Sequence, residues 1–316
     1  IIKNYIEGGH ISYFKNYGAP FFNTWEYMPE FSLILNFFLQ IISKIITKFG
    51  LIMNGMFFFS IGLVACTSAY CFRKMKIDYR IAFILGLLYT NLPYHYYRST
   101  QHLNLSLYIF VPFVCYIAYR YISNDLFIQD KIKKSTVIKA CCIFLVLGLS
   151  DLYYSFFSVI IIGMAGIVNC CNERKIKRIL PFIFMAASCI AGICICICCW
   201  WMNINHVSMI ESLDTRSIYD LEVYGLKISS LILPVKGHLI DLFSSITENY
   251  LNSTPFNEEG AFASLGIIGT IGLAISVISV CLKKSILEIK KIGILNILIL
   301  LLAVNGGINI LIALFV

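Results

Sequence analysis

The chain has 316 residues, 59% of them hydrophobic and only 13% charged, with a mean hydropathy of +0.81. An ordinary soluble domain carries about 25% charged residues, so a water-solvated enzyme is excluded. The net charge of +8 sits in short clusters between apolar runs, the pattern that orients membrane proteins, and nucleic acid is not an expected partner.

The apolar runs are continuous and lack the ten-residue alternation of a β-barrel. Open sheets fail in lipid, where unpaired backbone groups cost several kcal/mol each. The expected fold class is therefore an all-α membrane protein, with the lipid bilayer as its first partner.

In chain order, residues 1–50 read as an outer loop with an amphipathic helix. Within 31–49, Asn36, Gln40, Ser43, Lys44, Thr47 and Lys48 recur on one helical stripe. Two arrangements fit. The helix lies in the outer interface, or it spans with its polar stripe toward a cleft, which moves residues 1–30 to the cytoplasmic side.

Residues 51–200 read as a transmembrane bundle, with spans at 51–72, 81–92, 103–118, 137–149, 153–168 and 179–200. Residues 201–261 read as a long outer-loop subdomain. Residues 262–316 hold spans at 262–282 and 292–316, the last interrupted at Gly306 and Gly307. That makes about eight transmembrane helices. The chain opens at Ile1 without methionine and stops at Val316 inside an apolar run, so it reads as a fragment.

Crossing a bilayer takes roughly 20 apolar residues. The spans 81–92 and 137–149 fall short, which puts their outer ends, with Pro93 and Asp151, below headgroup level in a protein-lined cavity. Cations gather on every second connection: Arg73 to Arg80, Arg120 to Lys134, Arg174 to Arg178, and Lys283 to Lys291. That is the cytoplasmic signature. The opposite connections carry Glu211, Asp214, Asp220, Glu222, Asp241, Glu248, Glu258 and Glu259, and all five histidines if residues 1–30 lie on that side.

Thirteen cysteines suggest a metal or disulfide framework until their places are read. Cys189, Cys194, Cys196, Cys198 and Cys199 share one apolar span, where cysteine acts as a small hydrophobe; zinc ligands come as spaced pairs in polar loops. Gly266, Gly269 and Gly272 give small-residue spacing for close helix packing.

The densest polar block is 92–105, Leu-Pro-Tyr-His-Tyr-Tyr-Arg-Ser-Thr-Gln-His-Leu-Asn-Leu. Arg98 is its one cation, between His95 and His102 and among Tyr94, Tyr96 and Tyr97. A planar guanidinium beside imidazoles suits a phosphate or diphosphate. The competing reading is an interfacial aromatic belt with a snorkelling arginine.

This block, with Tyr17-Gly18-Ala19-Pro20, Trp25-Glu26-Tyr27-Met28-Pro29, Tyr153-Tyr154-Ser155-Phe156-Phe157, Glu222-Val223-Tyr224-Gly225-Leu226-Lys227, Leu233-Pro234, His238, and Asn257-Glu258 before Ala263-Ser264-Leu265-Gly266, resembles bacterial polytopic proteins of the C-type (GT-C) glycosyltransferase architecture. The blocks come in that group's order. The resemblance implies a multi-pass protein of the plasma membrane that takes a sugar from a polyprenyl-phosphate carrier at the outer face. It also implies a principal catalytic acid upstream of Ile1, and a second acidic site at Glu26.

On that reading Glu26 and Asp151 are the catalytic candidates. Glu26 would deprotonate an acceptor hydroxyl or hold a divalent metal ion, while His95, Arg98 and His102 bind the donor phosphate. Tyr153, Tyr154, Glu222, Tyr224, Lys227, His238, Asn257 and Glu258 are the substrate-binding candidates. The plain alternatives are a solvated loop acid for Glu26, a surface turn for Asp151, solvated-loop chemistry for Glu222 to His238, and helix capping for Asn257 and Glu258.

No P-loop or dinucleotide fingerprint occurs. The acids cluster in loops, unlike those of ion-coupled transporters. The main rival is a non-enzymatic protein that binds or flips a lipid-linked sugar.

Overall fold

The structure is a computed structural model and describes residues 2–9, 13–14, 23–24, 32–202, 223–255 and 260–313. It is almost entirely helical. The first half runs through α1 (Ile2–Ile6), α2 (Leu33–Ile45), α3 (Phe49–Lys74), α4 (Tyr79–Thr90), α5 (Pro93–Arg98), α6 (Leu103–Ser106) and α7 (Val111–Ile122). Next come α8 (Lys134–Gly148), α9 (Leu152–Glu173) and α10 (Leu180–Met202). The remainder holds α11 (Ile228–Ile232), α12 (Asp241–Ser253), α13 (Gly266–Cys281), α14 (Leu287–Ala303) and α15 (Ile308–Ala313). Strands occur as two short antiparallel pairs, β1 (Tyr13–Phe14) with β2 (Asn23–Thr24) and β3 (Phe127–Ile128) with β4 (Lys131–Ile132).

Among the described residues, three of the expected spans are long and apolar enough to cross a membrane by themselves: α3, α9 and the run Ile176–Met202, a 3-10 turn leading into α10. The other helices are shorter. At 1.5 Å per residue, the 12 residues of α4 and of α7 each cover about 18 Å. The expected span at 103–118 is two helices, α6 and α7, because Pro112 in the first turn of α7 has no N–H to continue a helical ladder from upstream. The last span breaks where expected, with Gly306 at φ +70.

Polarity is reversed relative to a water-soluble bundle. Ser60, Ser68, Ser155, Ser158, Asn169, Ser276 and Ser279 are buried, while Phe58 is 70% and Ile267 75% exposed. Several buried hydroxyls return to their own helices, Ser68 to the Val64 carbonyl at 2.5 Å and Ser279 to that of Ser276 at 2.6 Å. Such back-bonding satisfies a serine without solvent. Helix α2 repeats the pattern, with Asn36 and Ser43 inward and Phe37, Phe38 and Ile45 outward. Of its polar stripe, Asn36 and Ser43 face protein while Lys44, Thr47 and Lys48 are exposed, and its 13 residues reach only about 20 Å.

The largest core joins α7, α8, α9, α10 and α14 around Tyr121, Phe144, Ile162 and Met185. A second gathers α1, α2, the start of α3 and α6 around Tyr5, Leu39, Ile52 and Leu103. Helices α8 and α10 meet backbone to backbone: a Cβ on Gly148 would strike the Cys189 carbonyl, and one on Gly192 would lie 2.5 Å from that of Leu145. Among the described residues, the expected close packing at Gly266, Gly269 and Gly272 is not seen. Gly266 and Gly272 face open space and Gly269 meets only Leu265, while Gly293 of α14 makes the close approach to Ser276 of α13.

Three of the cationic connections come together at one end, here called the basic end. The β3–β4 turn places Gln129 and Asp130 at positive φ, as a two-residue hairpin requires. Asp130 reaches both Lys175 and Arg178 at 2.5 Å. The Asn124 amide donates to Glu173 at 2.6 Å, Asn169 donates to Asn124 and to the Tyr121 carbonyl at 2.6 Å each, and Lys291 donates to the Ile122 carbonyl at 3.0 Å. None of the thirteen cysteines is in a disulfide.

Candidate functional site at the recessed end

Opposite the basic end, two short helices stop well before their long neighbours. His95, just after α4, meets Ser60 of α3 at 2.8 Å, yet α3 begins eleven residues earlier at Phe49, about 16 Å further on. Gly148 ends α8 beside Gly192, and α10 continues ten residues to Met202, about 15 Å more. The segments following α4 and α8 thus lie level with the middle of α3 and α10 rather than with their ends, here called the recessed end. The start of α2 packs on the second of them, the Ile34 N–H bonding the Leu149 carbonyl at 3.4 Å.

His95 is fully buried in a cage of hydroxyls and a carbonyl. Its Nε2 faces the Ser60 hydroxyl; its Nδ1 faces the Thr90 carbonyl at 2.9 Å, the Tyr108 hydroxyl at 3.1 Å and the Thr90 hydroxyl at 3.3 Å. The Phe57 and Tyr108 rings pack edge-on at 5.5 and 5.0 Å. Burial lowers the pKa of this imidazole from its ordinary value, since no counter-charge repays its desolvation. His95 therefore sits in the wall of the recess rather than on its surface with Arg98.

Arg98, at the end of α5, lies over Tyr94 and Tyr97, 5.4 and 5.5 Å from their ring centres. Cation–π contacts of this kind hold a guanidinium in place. Tyr97 stacks on Phe262 at 4.0 Å, docking residues 260–262 onto α5. His102 is exposed at the start of α6, and its backbone N–H bonds the Arg98 carbonyl at 3.0 Å.

Asp151 is buried at the N-cap of α9. One carboxylate oxygen accepts the Tyr154 N–H at 2.9 Å and the other accepts from the Asn104 amide at 3.5 Å. The helix dipole favours its charge there. The Tyr154 hydroxyl bonds the Leu105 carbonyl and meets the Tyr94 hydroxyl at 3.1 Å. Asp151, Asn104, Tyr154, Tyr94 and Arg98 therefore form one connected set, although α5 and α9 are far apart in sequence. Tyr153, one position along α9, is exposed.

The remaining candidates among the described residues have other neighbours. Lys227 donates to the Pro255 carbonyl. His238 accepts the Ile240 N–H at 3.0 Å and packs on Phe243. Tyr224 is half exposed beside Leu226, which pairs with Val304. Glu26, Glu222, Asn257 and Glu258 lie outside the described residues. Among the described residues, no three His, Cys, Asp or Glu side chains gather as metal ligands.

Sequence reasoning missed Ser60, Thr90 and Tyr108 as the cage of His95, Asn104 as the partner of Asp151, and Phe262 as a docking ring. Asn104 had a visible signal in its place within the 92–105 block. Ser60 had only its position in an apolar span, and Phe262 read as the start of another. In comparisons with known proteins, no family model, no curated protein and no solved structure matches this chain.

Proposed function

We propose that this is a multi-pass protein of the bacterial plasma membrane that receives a polyprenyl-phosphate-linked sugar at its recessed end, on the outer face, and transfers the sugar as C-type glycosyltransferases do. In this reading the shorter helices cross together with α3, α9 and α10, and the basic end is cytoplasmic. The observation that carries the proposal is the hydrogen bond between Tyr94 and Tyr154. It joins the polar block after α4 to the one after α8 and sets Arg98 in the same recess as Asp151.

The chemistry divides among named groups. The bond from sugar C1 to the phosphate oxygen breaks, and the carrier phosphate departs with the electron pair. Arg98 neutralises that phosphate, helped by His102 at the rim. The acceptor hydroxyl forms the new glycosidic bond and gives its proton to a carboxylate, Glu26 in this reading. His95 and Asp151 are positioning residues: one fixes α5 against α3, the other fixes the start of α9 and orients Asn104. Exposed Tyr153 offers a ring and a hydroxyl to the sugar.

One observation favours a second reading. Asp151 is engaged as a helix cap, and a recess whose acid is so engaged would hold the lipid-linked sugar without cleaving it, as a binder or flippase does. Transfer of radiolabelled sugar from polyprenyl-phosphate donors, measured in membranes, separates the two. Transferase function predicts at least a hundred-fold loss in Glu26→Gln and in Arg98→Ala at unchanged protein levels. Donor bound by the wild type but never transferred would establish the second reading instead.

A further inference from the structure

A second ligand site is suggested at the basic end, away from the recess. Helices α8 and α10 touch closely at Gly148 and Gly192, but nearer the basic end they leave a crevice of about 620 Å³ between them. It lies between Val137, Ile138 and Cys141 of α8 and Ala187 and Ala191 of α10, with Lys134 lining it from the first position of α8. The crevice has the volume of an ordinary ligand pocket, and its wall is apolar apart from Lys134 and Ser188.

The charge around it is unbalanced. Asp130 is engaged with Lys175 and Arg178, Glu173 with Arg178 and Asn124, and Asp125 lies 3.8 Å from Arg120. Among the described residues, Lys131, Lys133 and Lys134 have no acidic side chain within ion-pair distance, and the first turn of α8 holds no acid. One lysine, Lys134, thus lines one end of an apolar slot, with Lys131 and Lys133 next to it in the chain on either side of the lining residue Ile132.

We propose that this crevice binds an anionic glycerophospholipid of the cytoplasmic leaflet, one acyl chain between α8 and α10 and the phosphate at Lys131, Lys133 and Lys134. An apolar chain matches the slot and a fixed negative charge matches the lysines; a zwitterionic lipid supplies only the first. The site is independent of sugar transfer but rests on the membrane orientation proposed above.

The test reconstitutes the purified protein in phosphatidylcholine liposomes carrying a trace of phosphatidylglycerol or phosphatidylcholine with a photoactivatable acyl chain, and maps cross-links by mass spectrometry. Phosphatidylglycerol is expected to label 137–141 and 184–191 about five-fold more than phosphatidylcholine, the preference that even one lysine near the surface gives. Replacing Lys131, Lys133 and Lys134 by glutamine should bring both lipids to the same level. Ala187→Phe with Ala191→Phe should abolish labelling there by either lipid.

Equal labelling by the two lipids in the wild type, or a preference that survives loss of the lysines, overturns the proposal while leaving the membrane reading intact. Absence of acyl labelling on the exposed faces of α3 and α9 as well overturns both.

Discussion

At the basic end of the bundle, Arg178 reaches Asp130 and Glu173, its side chain only 8% exposed and its guanidinium 4.1 Å from the Phe127 ring centre. At the recessed end, Arg98 lies against the rings of Tyr94 and Tyr97, within a set of tyrosines tied to Asp151 and Asn104. The first arginine fastens two connections of the chain to each other. The second lies against tyrosine rings that fix its position. An arginine embedded among acids reads as a structural fastener, and the one braced by aromatics is the one we propose for the carrier phosphate.

Four substitutions can break or sharpen that contrast, with stability read as the midpoint of thermal unfolding by a thiol-reactive dye that reports exposure of buried Cys71, Cys189 and Cys196. The largest effect is expected from Gly192→Val, which drives a side chain into the Leu145 carbonyl and parts α8 from α10. A loss of about 3 kcal/mol is expected, and both ends should suffer. Arg178→Ala comes next, at about 2 to 3 kcal/mol. That is less than a fully buried pair would give, because Asp130 is 54% exposed and partly screened. A loss under about 1 kcal/mol would mean that the basic end is not a fastener.

His95→Ala should lose about 2 kcal/mol by emptying the cage around Ser60 and Tyr108, with a pH signature. The pKa of His95 is lowered on folding from an ordinary value of 6.5. The unfolded chain therefore binds more protons, and stability should fall as pH drops through 6.5 toward the folded value. In His95→Gln that fall should shrink. The smallest effect belongs to Asp130→Asn. Hydrogen bonds from Lys175 and then Arg178 hold the Asp130 carboxyl below its ordinary 3.8. Its contribution is present above that pH and lost as pH falls below it, so the variant should differ from wild type in acid unfolding and leave the pH profile between 5 and 8 unchanged.

Much of this was legible in the amino-acid order, and the limits are physical. Charge clustering on alternate connections placed Lys131, Lys175 and Arg178 together, because short connections leave cations few places to go. The shortness of 81–92 and 137–149 announced that α4 and α8 end short of α3 and α10, since helix length follows directly from residue count. Contacts between helices were not legible. Ser60 beside His95, Asn104 beside Asp151, and Gly293 rather than Gly266 or Gly272 at a close crossing all depend on which faces meet, and α13 and α14 are apolar nearly all round. The split of 103–118 was signalled by Pro112 but outweighed by the length of the apolar run.

The most direct test of the contrast is binding of polyprenyl phosphate to the purified protein, measured beside thermal stability for Arg98→Ala and Arg178→Ala at a temperature well below either unfolding midpoint. The expected result is a loss of affinity of about ten- to a hundred-fold for Arg98→Ala, the worth of a charged hydrogen bond, with stability nearly unchanged. Arg178→Ala should keep its affinity and lose stability. Equal affinity in the two variants, or the reverse pattern, would contradict the assignment of the recessed end as the site that receives the lipid-linked sugar.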